Sequence, residues 1–339
     1  MDNTPYVSII IPVRNEEIYI SKCLNSILNQ DYKKDKLEIL IIDGVSEDGT
    51  VQKIRDFLGR SENNAINIRV LENFKLIVSC GLNIGIKESK GDYIIRMDAH
   101  TEYVSDYISK CIEWLNKTGA ENVGGPIISL PGSDSFVAKA ICLSLSHIFG
   151  VGNSKFRTSQ KVEYVDTVTF GAWHKELFDK VGLFDERLAR NQDIEFNARI
   201  RKNGGKIFLT PGIKSYYHCR SNLKGLWKQN FENGKWVVYT KKIAPYCLSW
   251  RHFTPLIFVL FLIIFLFLTF FSSLFIILFL IAAGSYILAN LFFSALISIK
   301  SGIKFFIIMP AVFATLHFSY GLGAIWGLIT LRKWVQKNI

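Results

Sequence analysis

The chain has 339 residues, of which 49% are hydrophobic and 14% are aromatic, and it carries a formal net charge of +11. This length allows one large domain or two smaller ones, with ample apolar material for a core. Nine Lys or Arg and no Asp or Glu lie between Asn233 and the end, so the first 232 residues carry only +2. Because the basicity belongs to one terminal segment, it indicates membrane-flanking residues and argues against nucleic acid as a partner.

Apolar, β-branched runs alternate with helical patterns from the N-terminus onwards. Strands are predicted at Val7 to Ile11, Leu37 to Ile42, Asn67 to Leu71 and Asp92 to Met97. The apolar spacing predicts helices over Ile18 to Gln30, from Asp48 onwards, and near Cys80 to Lys90. This β-α-β-α-β order predicts an α/β domain with a mostly parallel sheet and helices on both faces.

Polar side chains follow three of the predicted strands. They are Arg14 and Glu16 after the first strand, Asp43 after the second, and Asp98 and His100 after the fourth. Ligands of parallel sheets bind beyond the carboxyl ends of the strands, so these side chains are expected at one edge. There is no G-x-G-x-x-G after the first strand and no G-x-x-x-x-G-K-[ST] anywhere, which excludes the two common phosphate loops. A metal ion is therefore expected to bind the phosphates in place of such a loop.

Asp98-Ala99-His100 is the candidate metal site. In an extended segment, residues two apart point to the same side, so Asp98 and His100 can converge on one divalent ion. The simpler interpretation of the tripeptide alone is a surface Asp and His at a strand-to-loop junction. Mg²⁺ favours oxygen ligands and Mn²⁺ tolerates imidazole, so Mn²⁺ should activate at least as well as Mg²⁺. His218 is a further candidate ligand, although a structural or exposed histidine is the better explanation of it.

A second polar cluster lies about a hundred residues downstream. It contains Arg190, Gln192, Asp193 and Glu195, at the start of a helix predicted to run to about Lys202. Acids at this position are common because they compensate the helix dipole, and that interpretation is as good as a catalytic one for the cluster alone.

The C-terminal part contains long runs without charge. No charged side chain occurs from Phe253 to Ile299 or from Phe305 to Leu331, whereas about 20 apolar residues suffice to cross a bilayer. The first run predicts two helices, at about 255–271 and 274–298. The run at about 305–331 predicts a third span or, because of Pro310, a broken re-entrant segment.

The N-terminus and the cysteines indicate a cytoplasmic catalytic domain. Met1 to Pro5 is polar and does not resemble a signal peptide. Six cysteines are scattered without C-x-x-C spacing, as is typical of reduced structural thiols. With this domain inside, two spans return Lys300 and Lys304 to the cytoplasm, but a third span would place Arg332 and Lys333 outside, against the positive-inside rule. The count therefore stays at two or three.

Four ordered motifs carry a family resemblance. They are VSIIIPVRNEE (7–17), LIIDGVSEDGT (40–50), NIGIKESKGDYIIRMDAHT (83–101) and FGAWHKELFDKVGLFDERLARNQDIEFNARIRKNGG (170–205). Over residues 7–245 the chain resembles glycosyltransferase family 2, and its ExoA-like membrane-bound branch in particular. HFSYGLGAIWGL (317–328) also resembles the membrane segment of that branch. The resemblance implies a GT-A fold that binds a nucleotide-sugar through its diphosphate and a divalent cation, Mn²⁺ or Mg²⁺.

The resemblance also implies roles for individual residues. Asp43 matches the acid that contacts the nucleotide base, Asp98-Ala99-His100 occupies the D-x-D position, and Asp193 matches the catalytic base of inverting members. Pro12, Arg14, Glu16 and Asp98 would bind the donor, and Arg190 and Gln192 would contact the acceptor or the diphosphate. Gln229 and Trp236 resemble a relaxed Q-x-x-R-W element whose arginine is missing here.

Two segments are candidates for contact with lipid or with a lipid-linked acceptor. In the basic loop Gly150 to Arg157, Lys155 and Arg157 would meet the acceptor's phosphates if the preceding apolar stretch Ala140 to Phe149 lies at the membrane surface. A core helix followed by a solvated loop is the alternative. Residues 235–253 mix aromatic and basic side chains, as interfacial segments do. The expected organisation is a cytosolic domain at 1–234, an interfacial segment at 235–253 and a membrane region at 254–339.

The predicted function is that of a plasma-membrane, multi-pass, inverting hexosyltransferase. It is expected to act on a nucleotide-diphosphate sugar, with UDP as the expected nucleotide, and on a polyprenyl-linked saccharide acceptor in cell-surface polysaccharide biosynthesis. A retaining mechanism would need a second carboxylate as nucleophile, and helical geometry turns Glu195 away from Asp193. Two alternatives remain: a processive polysaccharide synthase, and a catalytically silent nucleotide-sugar-binding scaffold.

Overall fold

The computed structural model describes residues 4–60 and 66–338. Its contacts separate two compact units, Met1–Ile128 with Lys155–Tyr217, and Ser129–Ser154 with His218–Ile339. The predicted boundary after residue 234 differs from this division. It falls inside a continuous helix, Leu223–Ile243, because the segment 218–234 packs with the C-terminal helices.

Eleven strands are described, in two sheets. In chain order they are β1 Val7–Val13, β2 Leu37–Asp43, β3 Asn67–Glu72, β4 Tyr93–Arg96, β5 Thr101–Tyr103, β6 Asn122–Gly124, β7 Ile127–Leu130, β8 Glu163–Val165, β9 Ala172–His174, β10 Ile207–Leu209 and β11 Ser215–His218. The larger sheet has the order β3-β2-β1-β4-β9-β6-β10-β8, and the smaller one has the order β5-β11-β7. Strands β1 to β4 pair in parallel as predicted, while β9 runs antiparallel to β4.

The helices of the first unit cover both faces of the larger sheet. They are α1 Ile20–Leu28, α2 Thr50–Leu58, α3 Val78–Glu88, α4 Tyr107–Thr118, α7 Lys155–Thr158, α8 Leu177–Val181 and α9 Gln192–Lys202. Alternate residues of β1 enter different cores: Ile9 and Ile11 pack on one face, and Ile10 on the other. Strands buried on both faces are continuously apolar, which explains the Ile-rich runs of β1 and β2.

Strand β1 is longer than the predicted strand Val7 to Ile11, because it continues through Pro12. The strand continues to Val13 and pairs with β2 up to Asp43, whereas its pairing with β4 stops at Ile10. Proline cannot donate a ladder hydrogen bond, so it is tolerated where one neighbouring strand has already ended. The carboxyl end of β1 is therefore open on the β4 side.

The second unit is helical. It contains α5 Phe136–Leu145, α6 Ile148–Val151, α10 Leu223–Ile243, α11 Thr254–Leu268, α12 Ser273–Ser301 and α13 Met309–Asn338. Among the described residues, three helical segments are long and apolar enough to cross a membrane: Trp250–Leu268, Ser273–Ser301 and Met309–Gln336. Pro310 lies in the first turn of α13, where a proline does not interrupt helical hydrogen bonding, so the helix is not broken there.

Candidate functional site

A cavity of about 130 Å³ lies in the first unit at the carboxyl ends of the parallel strands. Of the residues predicted from the sequence, its walls include Pro12, Arg14, Glu16, Asp98 and His100. These come from the ends of β1 and β4, as the rule for parallel sheets requires. The prediction that these polar groups converge at one edge of the sheet agrees with this geometry.

Asp98 is held by Arg96, which sequence reasoning had treated only as part of a strand. The guanidinium donates from Nε to Oδ1 at 2.9 Å and from Nη2 to Oδ2 at 3.1 Å. Both side chains are largely buried, with 6% of Arg96 and 16% of Asp98 exposed. An arginine in an otherwise apolar strand, two residues before an acid, is the sequence signal that would have identified this pair.

Arg96 can donate a further hydrogen bond after it has bound Asp98. Its Nη1 is one of the buried side-chain nitrogens in the described residues that lack a hydrogen-bond partner. A buried, unsatisfied donor is costly, and such groups are frequently completed by a ligand. The Asp98 and Asp193 charges keep the pKa of Arg96 raised against the opposing effect of burial.

His100 is oriented by Glu16. Its Nδ1 lies 2.9 Å from Oε1 of Glu16, and both side chains are partly buried. A carboxylate at Nδ1 favours the tautomer that carries the proton on Nδ1 and the lone pair on Nε2. The ring of Tyr217 meets the imidazole edge-on with centroids 5.1 Å apart, and the guanidinium of Arg157 lies 5.6 Å from the centre of the same tyrosine ring.

Asp43 sits between two residues that line the cavity, Ile42 and Gly44, and does not itself appear in the lining. Its carboxylate accepts hydrogen bonds from the Ser46 hydroxyl at 2.6 Å and from the Ser46 backbone N–H at 3.1 Å. The Asp43 side chain thereby fixes the loop after β2. In that loop Val45 has φ 52, a conformation that is costly for a β-branched residue and is often found near functional sites.

Sequence reasoning missed the wall of the cavity that follows β3. Asn73, Leu76, Ile77 and Val78 line it. Asn73 is 4% exposed, its Nδ2 donates to the carbonyl of Ile77 at 2.8 Å, and its buried Oδ1 has no partner in the described structure. The third predicted strand is followed by Glu72 and Asn73, but neither stood in a recognisable motif, and so neither was assigned a role from the sequence.

Asp193 lies in the first turn of α9. It follows Asn191, which has φ 62, and its Oδ1 accepts the Ile194 N–H at 2.9 Å. Burial raises the pKa of Asp193; the nearby Arg96 charge lowers it, and Asp98 raises it. The structure therefore brings Asp193 within electrostatic reach of the Arg96–Asp98 pair. A carboxyl whose pKa is raised by burial is a candidate proton acceptor.

The other members of the downstream cluster have different surroundings. Glu195 is bound by Arg199 through two hydrogen bonds of 2.9 and 2.8 Å, and only 3% of its side chain is exposed. This pairing gives Glu195 a structural role, and it does not present a free nucleophile. Gln192 is buried as the first residue of α9, and Arg190 is partly buried just before it.

The candidate acceptor residues are distributed over both units. Lys155 and Arg157 belong to α7 in the first unit, and Lys155 is paired with Glu163. Gln229 and Trp236 lie on α10 in the second unit, where Trp236 meets Trp334 edge-on at 5.8 Å. His218 is the last residue of β11 and also falls in the second unit.

The residues present fit a divalent cation that completes its coordination with a bound ligand. Within the described residues, no group of three His, Cys, Asp or Glu could hold an ion by itself. Asp98 retains unused carboxylate lone pairs after binding Arg96, and His100 can offer Nε2. Two protein ligands of this kind suit Mn²⁺, or Mg²⁺, which is commonly held by one or two protein groups together with water and phosphate oxygens.

Comparison with known proteins identifies the sequence relatives. The model of Glycosyl transferase family 2 matches residues 8–182. The chain is 35% identical over 237 residues to the dolichyl N-acetyl-alpha-D-glucosaminyl phosphate 3-beta-D-2,3-diacetamido-2,3-dideoxy-beta-D-glucuronosyltransferase of Methanococcus voltae, a match that covers 68% of this chain and 72% of that protein. It is 30% identical over 229 residues to the succinoglycan biosynthesis protein ExoA of Rhizobium meliloti (strain 1021), with 67% of each chain covered.

A solved structure extends the similarity to the fold. The mannosyltransferase PcManGT from Pyrobaculum calidifontis, in complex with GDP-Man and Mn²⁺, matches with a TM-score of 0.64 and 18% identity, over 96% of this chain and 88% of that chain. The GT-A fold expected from the sequence is thereby confirmed.

Proposed function

Because this chain belongs to glycosyl transferase family 2, we propose that it transfers a hexose, with inversion, from a UDP-linked donor to a polyprenyl-linked saccharide acceptor. The reaction would take place at the cytoplasmic face of the plasma membrane and would serve cell-surface polysaccharide assembly. One observation carries the proposal: Asp193, with its raised pKa, lies within electrostatic reach of Arg96 and of Asp98, the member of that pair that lines the cavity.

The donor end of the reaction belongs to the cavity. The nucleoside would occupy the region near Asp43 and Asn73, and the diphosphate would lie towards Asp98 and His100. A divalent cation held by Asp98 and His100 would supply positive charge for the diphosphate oxygens. The unpartnered Nη1 of Arg96 offers a further donor on the same side, and a fixed dipole or charge of this kind stabilises a departing anion.

The acceptor end belongs to Asp193. An inverting transfer is a single displacement, in which the acceptor hydroxyl oxygen bonds to the anomeric carbon while the bond from that carbon to the diphosphate oxygen breaks. Asp193 takes the hydroxyl proton, and the electron pair of the broken bond leaves with the nucleoside diphosphate. Glu195 takes no part, since Arg199 engages both of its oxygens.

The proposal of a lipid-linked acceptor is supported by the long apolar helices of the second unit and by the names of the relatives. The relative from Methanococcus voltae is named for a dolichyl phosphate-linked saccharide, and ExoA for succinoglycan biosynthesis. Arg157, which contacts the Tyr217 ring beside His100, is the candidate for the acceptor's phosphate, while Lys155 is already paired with Glu163.

The test is to incubate the purified full chain with a panel of nucleotide sugars, Mn²⁺ and a membrane lipid extract, and to identify consumed donor and lipid product by mass spectrometry. We expect one UDP-sugar to be consumed and a lipid-linked product to appear with it. Asp193→Asn should abolish both, whereas the matched control Asp179→Asn, at an exposed position on α8, should not. Undiminished transfer by Asp193→Asn would refute the base assignment, and donor binding without transfer by the unaltered chain would favour the scaffold.

A further inference from the structure

Helices α10 and α13 of the second unit pack backbone against backbone. A Cβ atom added at Gly234 would lie 2.0 Å from the carbonyl oxygen of Tyr320, and one added at Gly323 would lie 2.0 Å from that of Phe231. Neither position has room for any side chain. Small residues that allow such close approach are typical of tightly associated helices.

The two helices stay together beyond the glycine contacts, and they run in the same direction. Near the start of the contact, Asn230 Nδ2 donates to the carbonyl of Leu316. Further along, the hydroxyl of Tyr239 hydrogen-bonds to that of Thr330 at 2.7 Å, and its ring stacks on Trp334 with centroids 4.5 Å apart. Rising residue numbers in α10 therefore pair with rising numbers in α13.

Helix α10 is too charged to lie inside a bilayer. It carries Lys224, Lys228, Glu232, Lys235, Lys241 and Lys242. Ionised side chains in the hydrocarbon region are costly, and one turn of this helix contains the Glu232–Lys235 ion pair. Because α13 runs beside α10 from Leu316 to Trp334, both helices must share one environment over that length.

Helix α13 also differs from α11 and α12 in its surroundings. In the most apolar stretch of α13, 44% is buried inside the protein. The corresponding stretches of α11 and α12 are only 11% and 6% buried. Its middle meets the beginning of α11: a Cβ at Gly321 would lie 2.6 Å from the carbonyl oxygen of Pro255. The end of α11 meets α12 instead, with Phe265 and Phe275 at 5.7 Å. Helix α13 thus crosses the α11–α12 hairpin near its open end.

We propose that α13 is not a third span, and that α10 and α13 form a pair lying on the bilayer surface at the side where α11 begins. Only α11 and α12 then cross the membrane. The partner of this pair is an anionic lipid surface. Trp326 and Ile329, which are 50% and 68% exposed, present apolar area on α13, and Trp250 is 83% exposed beside the start of α11.

This topology removes the charge conflict that a third span creates. The chain has no acidic residue after Asn233. In this topology the basic residues of four segments come to one side of the bilayer: Lys241, Lys242, Arg251, Lys300, Lys304, Arg332 and Lys333. Basic residues grouped next to spans are attracted to anionic headgroups, and they mark the cytoplasmic side.

The proposal is tested by side-specific labelling of the full chain with a membrane-impermeant maleimide, in right-side-out and inside-out vesicles. Three exposed positions are changed one at a time: Lys224→Cys on α10, Phe271→Cys at the α11–α12 turn, and Lys333→Cys on α13. The extent of labelling of each variant in vesicles is divided by its extent of labelling in detergent, where both sides of the membrane are accessible. The unaltered chain, whose cysteines are buried except for the partly buried Cys142, supplies the blank.

We expect Lys333→Cys to be labelled in the same vesicle orientation as Lys224→Cys, and Phe271→Cys only in the other. Labelling of Lys333→Cys together with Phe271→Cys would overturn the proposal, because α13 would then cross. Alkaline phosphatase fused after residue 336 provides a second measurement. It should be inactive there and active after residue 271, whereas activity at both positions would also refute the two-span topology.

Discussion

Asp98 and Asp193 are both partly buried carboxylates of the first unit, yet their surroundings differ. Asp98, at the end of β4, accepts two hydrogen bonds from Arg96, whereas Asp193, at the start of α9, accepts only the N–H of Ile194 among its described hydrogen bonds. Burial raises the pKa of Asp193. A carboxylate bound by a guanidinium is held in a fixed orientation, while a desolvated one accepts a proton more readily. One acid is thus suited to a cation and a diphosphate, and the other to a hydroxyl proton.

The sharpest test of this difference compares Asp193→Asn with Asp98→Asn. We expect Asp193→Asn to lower kcat by about 10²- to 10⁴-fold, the usual contribution of a general base, with little change in donor affinity. Asp98→Asn should weaken donor binding as well, because it removes the proposed cation ligand and the partner of Arg96. Steady-state kinetics and donor titration by calorimetry separate the two effects. Equal loss of donor affinity in both variants would contradict the division of roles.

The next test concerns the cation and uses Glu16→Gln. The amide oxygen can still accept a hydrogen bond from Nδ1 of His100, but it lacks the carboxylate's charge and makes the imidazole a weaker ligand, so Mn²⁺ affinity should fall by about 10- to 100-fold. Mn²⁺ binding followed by electron paramagnetic resonance measures this in the presence of UDP. His100→Asp is the companion variant, and it should shift the preference from Mn²⁺ towards Mg²⁺. Transfer that is unchanged after EDTA treatment would end the case for a cation.

The α/β fold and the polar residues that line the cavity after β1 and β4 were predictable because they follow from local patterns. Apolar strand runs, the order of elements and the polar residues after β1 and β4 all lie within short stretches of sequence. Asn73 was not predicted, since an asparagine after a strand acquires its significance only from burial and from an unpartnered atom. Arg96 did leave a sequence signal beside Asp98, but its unpartnered Nη1 is evident only from the structure. The unit boundary was missed for a related reason. Residues 129–154 join the C-terminal helices through contacts distant in sequence, such as that of Phe149 with His317, whose ring centroids are 4.9 Å apart.

The charge of Arg96 links the two acids, and the pH profile should reveal it. Asp193 must be deprotonated to act as a base, so the rate falls as pH falls through its raised pKa. Because the Arg96 charge lowers that pKa, Arg96→Met should raise it further and move the acidic limb of kcat to higher pH. Arg96→Lys keeps the charge and should leave the limb near its original position, although it loses the two-pronged contact with Asp98. If the acidic limb of kcat does not move in Arg96→Met, the Arg96 charge does not control the pKa of the catalytic base, and the proposed link between Asp193 and the Arg96–Asp98 pair is wrong.

The smallest effect on transfer is expected at Glu195, the other acid of α9. Its pairing with Arg199 and the bond from Arg199 Nη1 to the carbonyl of Val181 at 2.7 Å tie α9 to the end of α8. Glu195→Gln should therefore lower the free energy of unfolding by about 1–3 kcal/mol, as expected when a buried charged hydrogen bond is lost. Transfer per folded molecule should stay close to that of the unaltered chain. Thermal unfolding, followed together with kcat below the transition, measures both quantities. A large fall in kcat without a fall in stability would mean that α9 supplies two catalytic acids, and a retaining mechanism would then have to be reconsidered.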